Sequence, residues 1–183
     1  IDASGLRGTV DVSNVSGSVD VRNVGSTLTV EGVSGNITVV NVGNDARIEN
    51  VSGRISIAGV GGTVSAETVS GGISINGVRG DRVHATSVSG SIDYAGPVNG
   101  SGRYEFETHS GRTDIRIASN ANAAISVETF SGSVSNDYPG AIRRRNSDPD
   151  DDRTNFDYVL GRGDGRVRIE TFSGSVHISQ GNP

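Results

Sequence analysis

Apolar and polar residues alternate in a nine-residue pattern that runs from Leu6 to Gly96. The first, fifth and seventh positions of each unit are apolar, as in Val51, Ile55 and Ile57, whereas the second, fourth and sixth positions never are. A spacing of two residues is that of a β-strand with one buried face. Each unit is therefore predicted to be a strand whose first, fifth and seventh side chains point inward.

Each unit also carries residues that favour a tight corner. The third position is usually Gly, and the ninth is mostly Asn or Gly: Asn14, Asn23, Gly32, Asn41, Asn50, Gly59 and Gly77. These residues tolerate left-handed backbone angles, so each strand is expected to end in a corner at its ninth residue. Val-Ser-Gly occurs only in alternate units, from Val15 onward, so the true repeat has 18 residues and two strands.

A two-strand repeat of constant length predicts an all-β fold, a right-handed parallel β-helix or flattened β-solenoid. Each turn would place one strand in each of two facing sheets and stack parallel on the turn before it. The right hand follows from the general rule for parallel crossovers. The alternative, an antiparallel meander of hairpins, would leave the apolar face of one long sheet uncovered.

Beyond Gly96 the repeat widens to about 21 residues, and the corner signature returns at His109, Phe130 and Phe172. The chain is thus predicted to form about eight turns and one domain, 1–183. His109 occupies the position of Val88 and is expected to be buried or to lie in a corner. A charged insertion at 136–165 is expected to be a surface loop that folds over the C-terminal end and shields the last edge strand.

Composition narrows the range of functions. The 183 residues include no Cys, which excludes thiol catalysis, disulfides and Cys-based zinc sites, and no cofactor or metal is expected. The net charge of −5 disfavours nucleic acid and anionic membranes as partners. No apolar run approaches the roughly 20 residues that span a bilayer, so membrane insertion is not expected.

The tandem motifs carry a family resemblance. Val-Ser-Gly-Ser-Val-Asp-Val at 15–21 and Val-Arg-Ile-Glu-Thr-Phe-Ser-Gly-Ser-Val-His-Ile at 167–178 resemble the bacterial β-strand-repeat family of adhesin-like domains, most of unknown function. The resemblance implies a right-handed β-helix-like fold, a periplasmic, extracellular or cell-surface location, and no catalytic residues. Some relatives are associated with cell-envelope stress signalling. Because the chain starts at Ile1 rather than Met, it is expected to be a segment of a longer precursor.

One row of acidic residues is the main candidate site. Aligning the turns places six glutamates just before the Ser-Gly corners, with Thr86 filling one gap: Glu31, Glu49, Glu67, Glu107, Glu128 and Glu170. Carboxylates stacked about 4.8 Å apart repel one another. The row is therefore either a solvated edge that keeps the rod soluble or a binding site for divalent cations or a basic partner.

The expected function is a non-enzymatic, secreted or cell-surface module for display or adhesion, which contacts a glycan or an envelope protein. Two alternatives are a structural rod that self-associates end to end and a domain that senses envelope stress. A β-helix carbohydrate-active enzyme is a further alternative, because one outward row carries Asp93, Asp114 and His177 with Arg112 and Arg116 beside it. Ser135 interrupts that row.

Overall fold

The computed structural model describes residues 1–138, 143–144 and 154–181, which form β-strands joined by short turns. The strands are β1 (Asp2–Leu6), β2 (Val10–Ser16), β3 (Val19–Val24), β4 (Leu28–Ser34), β5 (Ile37–Val42), β6 (Ala46–Ser52), β7 (Ile55–Val60), β8 (Val64–Ser70), β9 (Ile73–Asn76), β10 (Arg82–Ser89), β11 (Ile92–Ala95), β12 (Arg103–Ala118), β13 (Ala123–Asn136), β14 (Arg143–Arg144), β15 (Thr154–Leu160) and β16 (Gly165–Gly181). The described part of the chain has no helix that could cross a bilayer.

Alternate strands stack in parallel, which confirms the predicted β-solenoid and excludes the meander. One stack contains β2, β4, β6, β8, β10 and the first halves of β12, β16 and β13, which makes eight turns. The other contains β1, β3, β5, β7, β9, β11 and the second halves of the same three long strands. Equivalent residues of successive turns pair directly, as Ile37 does with Ile55.

The core between the two stacks is a column of aliphatic side chains that widens toward the C-terminal turns. Val and Ile fill the narrow turns, since β-branched side chains suit the pleated sheet. In the longer turns, the larger rings of Tyr94, Tyr104 and Phe106 pack together, with Tyr94 lying 5.3 Å from Phe106 between ring centroids. The Tyr94 hydroxyl donates a hydrogen bond to the carbonyl of Pro97 at 2.7 Å, so its burial leaves no polar group unpaired.

The prediction that every first-position residue points inward is wrong for the Val-Ser-Gly units. Val60, in a unit without this motif, is fully buried, whereas Val51 is 47% exposed. In β6 the alternation runs unbroken, so Ile48 and Asn50 point inward and Val51 must point outward. Asn50, the ninth residue of its unit, therefore points inward in place of Val51, the first residue of the next unit.

A left-handed residue explains why the other units differ. Asn23, Asn41, Gly59 and Gly77 have positive φ angles between 56° and 71°, and each such residue shifts the alternation by one so that the next Val turns inward. The left-handed prediction is thus correct at these ninth positions. It is wrong at Asn14, Gly32 and Asn50, whose backbone stays extended.

The last turns do not stack in chain order, contrary to the expectation that each turn rests on the one before it. β16 pairs with β12 on one side and with β13 on the other, so the final turn in sequence lies between the two preceding turns. β13 becomes the terminal turn, and β15 from the charged insertion covers its first half in antiparallel pairing. The insertion thus shields an edge strand as expected, but it does so with the strand β15 rather than with a loop, and the edge is that of β13. Residues 139–142 and 145–153 of the insertion lie outside the described residues.

A tight turn at 161–164 carries the chain across the start of β13, from β15 to β16. Gly161 and Gly163 have φ angles of 59° and 72°, and a Cβ on Gly161 would stand 2.0 Å from the Asn122 side-chain oxygen. That oxygen accepts a hydrogen bond from the Arg162 backbone N–H at 3.1 Å. Glycine suits this crossing because the backbone is left-handed there and lies close to Asn122.

Candidate functional site

The six predicted glutamates form one row on the outer surface of the stack that begins with β2 and β4. Glu31, Glu49 and Glu67 pair in register, and the row continues through Thr86 to Glu107. Because of the altered stacking order, Glu170 follows Glu107, and Glu128 ends the row. The predicted alignment is therefore correct, with the last two members exchanged.

Two arginines partly neutralise this glutamate row. Arg47 contacts Glu49 closely and lies 4.0 Å from Glu67. Arg168 contacts Glu170 closely and lies 3.5 Å from Glu128. Within the described residues, no cationic side chain lies within 4.0 Å of Glu31 or Glu107. The same residues contain no group of three or more His, Asp or Glu side chains placed to hold a metal ion.

An exposed apolar row runs beside the glutamates, two residues further along each strand. It consists of Val15, Val33, Val51, Val69, Val88, His109, Phe172 and Phe130. The rings of His109 and Phe172 stack with centroids 4.8 Å apart, and those of Phe172 and Phe130 stack 4.9 Å apart. The expected corner position of His109 is correct, but its side chain is exposed. Each apolar side chain beyond Val15 keeps about half its surface in water.

An open groove lies between the glutamate row and the apolar row. Two adjoining hollows of about 650 and 470 Å³ share Thr86 and Val88, so the groove extends along the rod. The residues between the two rows take inward strand positions, and four of them are threonines that are more than nine-tenths buried, with side chains turned away from the groove: Thr68, Thr108, Thr171 and Thr129. The groove thus combines carboxylates with apolar side chains.

The Ser-Gly corners beside the groove hold successive turns in register. The Ser34 and Ser52 hydroxyls each donate to a carbonyl of the preceding turn at 3.3 Å. A Cβ on Gly71 would stand 2.0 Å from the Gly53 carbonyl oxygen, so the corners stack more closely than any other residue allows. The serine row is therefore part of the scaffold, and this stacking fixes the spacing of the groove residues.

The row considered for enzymatic chemistry is also formed. Asp93, Asp114, His177 and Ser135 pair in register in that order. The Ser135 hydroxyl lies 2.8 Å from His177 Nδ1, and His177 Nε2 lies 3.5 Å from an Asp137 carboxylate oxygen. Ser135 and Asp137 are exposed on the open sheet face, where water competes for the hydroxyl and for any charge that develops.

The apolar wall of the groove is the part that sequence reasoning missed. Strict alternation after Ile48 places Val51 outside, whereas the Asn at the ninth position favours a corner that would turn the next residue inward. Phe130, Phe172 and His109 at one repeat position were a further sign, because large rings rarely fit where Val packs inside a narrow core.

The parallel turns and the lengthwise groove define a β-solenoid repeat domain. The sequence profile of the Toastrack DUF4097 family, a domain family of unknown function, matches residues 4–179. The chain therefore belongs to the Toastrack family. Searches of curated proteins and of solved structures give no significant match.

Proposed function

We propose that this Toastrack domain is a non-enzymatic recognition module of the bacterial cell surface or periplasm that binds elongated ligands along the groove. The observation that carries the proposal is the apolar row that stays exposed beside six glutamates. Apolar side chains that a fold leaves in water as a contiguous strip are a common mark of an interaction site. The carboxylates give the strip a preference for ligands that carry positive charge.

The rigid scaffold suits display or adhesion. Side chains of the groove repeat from turn to turn at a fixed spacing, so a ligand longer than one turn meets the same pair of groups several times. Binding energy then accumulates over turns without new kinds of contact. Glycans or envelope proteins with basic and apolar groups fit this chemistry.

The test uses thioflavin T, an elongated planar dye with one positive charge, and an anionic naphthalene sulfonate dye as its counterpart. We expect saturable fluorescence enhancement with thioflavin T and at least fivefold weaker binding by a variant with Val51→Ser and Val69→Ser. A control variant with Ser56→Ala and Ser74→Ala, changed on the other sheet, should bind as the wild type does. Equal binding by both variants, or no preference for the cationic dye, would contradict the proposal.

A further inference from the structure

Every second turn of the groove carries a glutamate, and the turns between them do so only in part. Counted from Ser13, the second, fourth, sixth and eighth turns carry Glu31, Glu67, Glu107 and Glu128 without a gap. The odd turns carry Ser13, Glu49, Thr86 and Glu170. Half of the odd turns therefore lack a carboxylate.

The arginines sharpen this two-turn period. Arg47 makes its close contact with Glu49 and Arg168 with Glu170, and both of these glutamates belong to odd turns. The even-turn residues Glu67 and Glu128 are only at 4.0 and 3.5 Å from the same arginines. Arg168 is also within hydrogen-bond distance of Glu128, so the charge that lacks a close cation is greatest at Glu31 and Glu107. The even turns are spaced about 9.6 Å apart at about 4.8 Å per strand.

This spacing matches one regular peptide conformation closely. Three residues of a polyproline II helix advance about 9.3 Å and return the side chain to the same face. An extended strand advances a similar distance in three residues, but side chains three positions apart then point to opposite faces. Seven residues of an α-helix advance about 10.5 Å, so a helix loses register over four charges.

The apolar wall suits the same conformation. Proline-rich segments dock in grooves lined by aromatic and apolar side chains, because the polyproline II helix is already ordered before binding. Val51, Val69 and the stacked rings of Phe172 and Phe130 supply the apolar contact.

We infer that the groove binds a proline-rich protein segment in the polyproline II conformation with a basic residue at every third position. Four such basic residues would lie opposite Glu31, Glu67, Glu107 and Glu128, while the prolines between them face the apolar row. This inference rests on the proposed function, since it assigns a partner to the same groove.

The test compares three fluorescein-labelled peptides by anisotropy with the complete chain. The first repeats Arg-Pro-Pro four times, the second places the same four arginines together at one end, and the third repeats Glu-Pro-Pro. We expect the first peptide to bind at least fivefold more tightly than the second, and the third not to bind. The first two peptides have the same charge and composition, so only the spacing of charge distinguishes them.

Variants locate the contact. The double change Glu31→Gln and Glu107→Gln should weaken binding of the first peptide at least tenfold, because both carboxylates lack a close cation among the described residues. Glu105→Gln removes a carboxylate of the same strand that lies outside the groove and pairs with Arg103 at 3.9 Å. This control should change affinity by less than twofold. Circular dichroism and melting temperature check that each variant is folded.

The peptide and dye results together distinguish failure of the polyproline inference from failure of the proposed groove. Equal affinity for the two arginine peptides would overturn the spacing inference, and the proposed groove would stand if thioflavin T still binds there. Failure of all peptides with normal dye binding would overturn the polyproline partner alone. Failure of peptides and dye together would overturn both.

Discussion

The rings of His109 and Phe172 lie parallel with centroids 4.8 Å apart, although the turn that carries Phe130 comes between them in the sequence. Phe130 stacks on the far side of Phe172, at 4.9 Å. The turn at the end of the stack, formed by β13, therefore precedes in the sequence the turn beneath it, formed by β16. Since β13 pairs with β16 and β15, the terminal turn is held in place by segments that follow it in the sequence.

This insertion predicts which engineered cysteines can form a disulfide. Ser110 and Ser173 are register partners, and neighbouring strands lie about 4.8 Å apart, within the Cα distance that a disulfide needs. Ser110 and Ser131 are two strands apart, with Ser173 between them. We expect Ser110→Cys with Ser173→Cys to cross-link on oxidation and Ser110→Cys with Ser131→Cys to keep free thiols, as judged by mass spectrometry. The opposite pattern would indicate stacking in chain order.

The stacked glycines predict a large cost at one corner and a small one at another. Gly71 has a φ angle of 146°, and an added Cβ would stand 2.0 Å from the Gly53 oxygen. Gly71→Ala should therefore cost at least about 3 kcal/mol of unfolding free energy. Gly17 has a φ angle of 92° with nothing within 4 Å of an added Cβ, so Gly17→Ala should cost only about 1–2 kcal/mol. Urea denaturation measures both, and equal costs would contradict close stacking.

Val60 and Val51 occupy the same repeat position but should respond differently to truncation. Val60→Ala removes two buried methyl groups and should cost about 2–3 kcal/mol. Val51→Ala should cost less than about 1 kcal/mol, because its side chain is already half in water. The comparison uses urea denaturation of both variants. A similar loss at the two sites would show that Val51 is buried.

Periodicity predicted the parallel solenoid, the register and the glutamate row because each depends only on the repeat length and on alternation along a strand. The direction of Val51 depends on the backbone of one preceding residue. Asn41 is left-handed and Asn50 is extended, and the repeat pattern does not distinguish these two conformations. The insertion of β16 depends on pairing between distant segments that share one pattern of apolar residues and one Ser-Gly corner, so either stacking order satisfies the same pattern.

The strand from the charged insertion should protect the terminal edge. Tyr158 is 4% exposed and packs β15 against the core, whereas its neighbour Val159 is 62% exposed. We expect Tyr158→Ser to release β15 and leave the β13 edge unpaired, which favours pairing with another molecule. Light scattering should then show a mass that rises with concentration. Val159→Ser should keep the wild-type mass, and an unchanged mass for Tyr158→Ser would contradict a protective role.

The tyrosines should report unfolding at alkaline pH. Burial raises the pKa of Tyr94, and it is the main cause of the raised pKa of Tyr104, Tyr138 and Tyr158. The chain contains four tyrosines, so all of them are affected. In the unfolded chain, tyrosine loses its proton near pH 10, at about its ordinary pKa. The folded protein keeps these protons to higher pH and therefore binds more protons than the unfolded chain, so stability is full below about pH 10 and falls as pH rises.

We expect tyrosinate absorbance to appear together with the loss of the far-ultraviolet dichroism of the strands. The urea-unfolded protein serves as the control and should titrate near pH 10. Full tyrosinate absorbance with native dichroism would show that the rings of Tyr94 and Tyr104 are accessible to solvent.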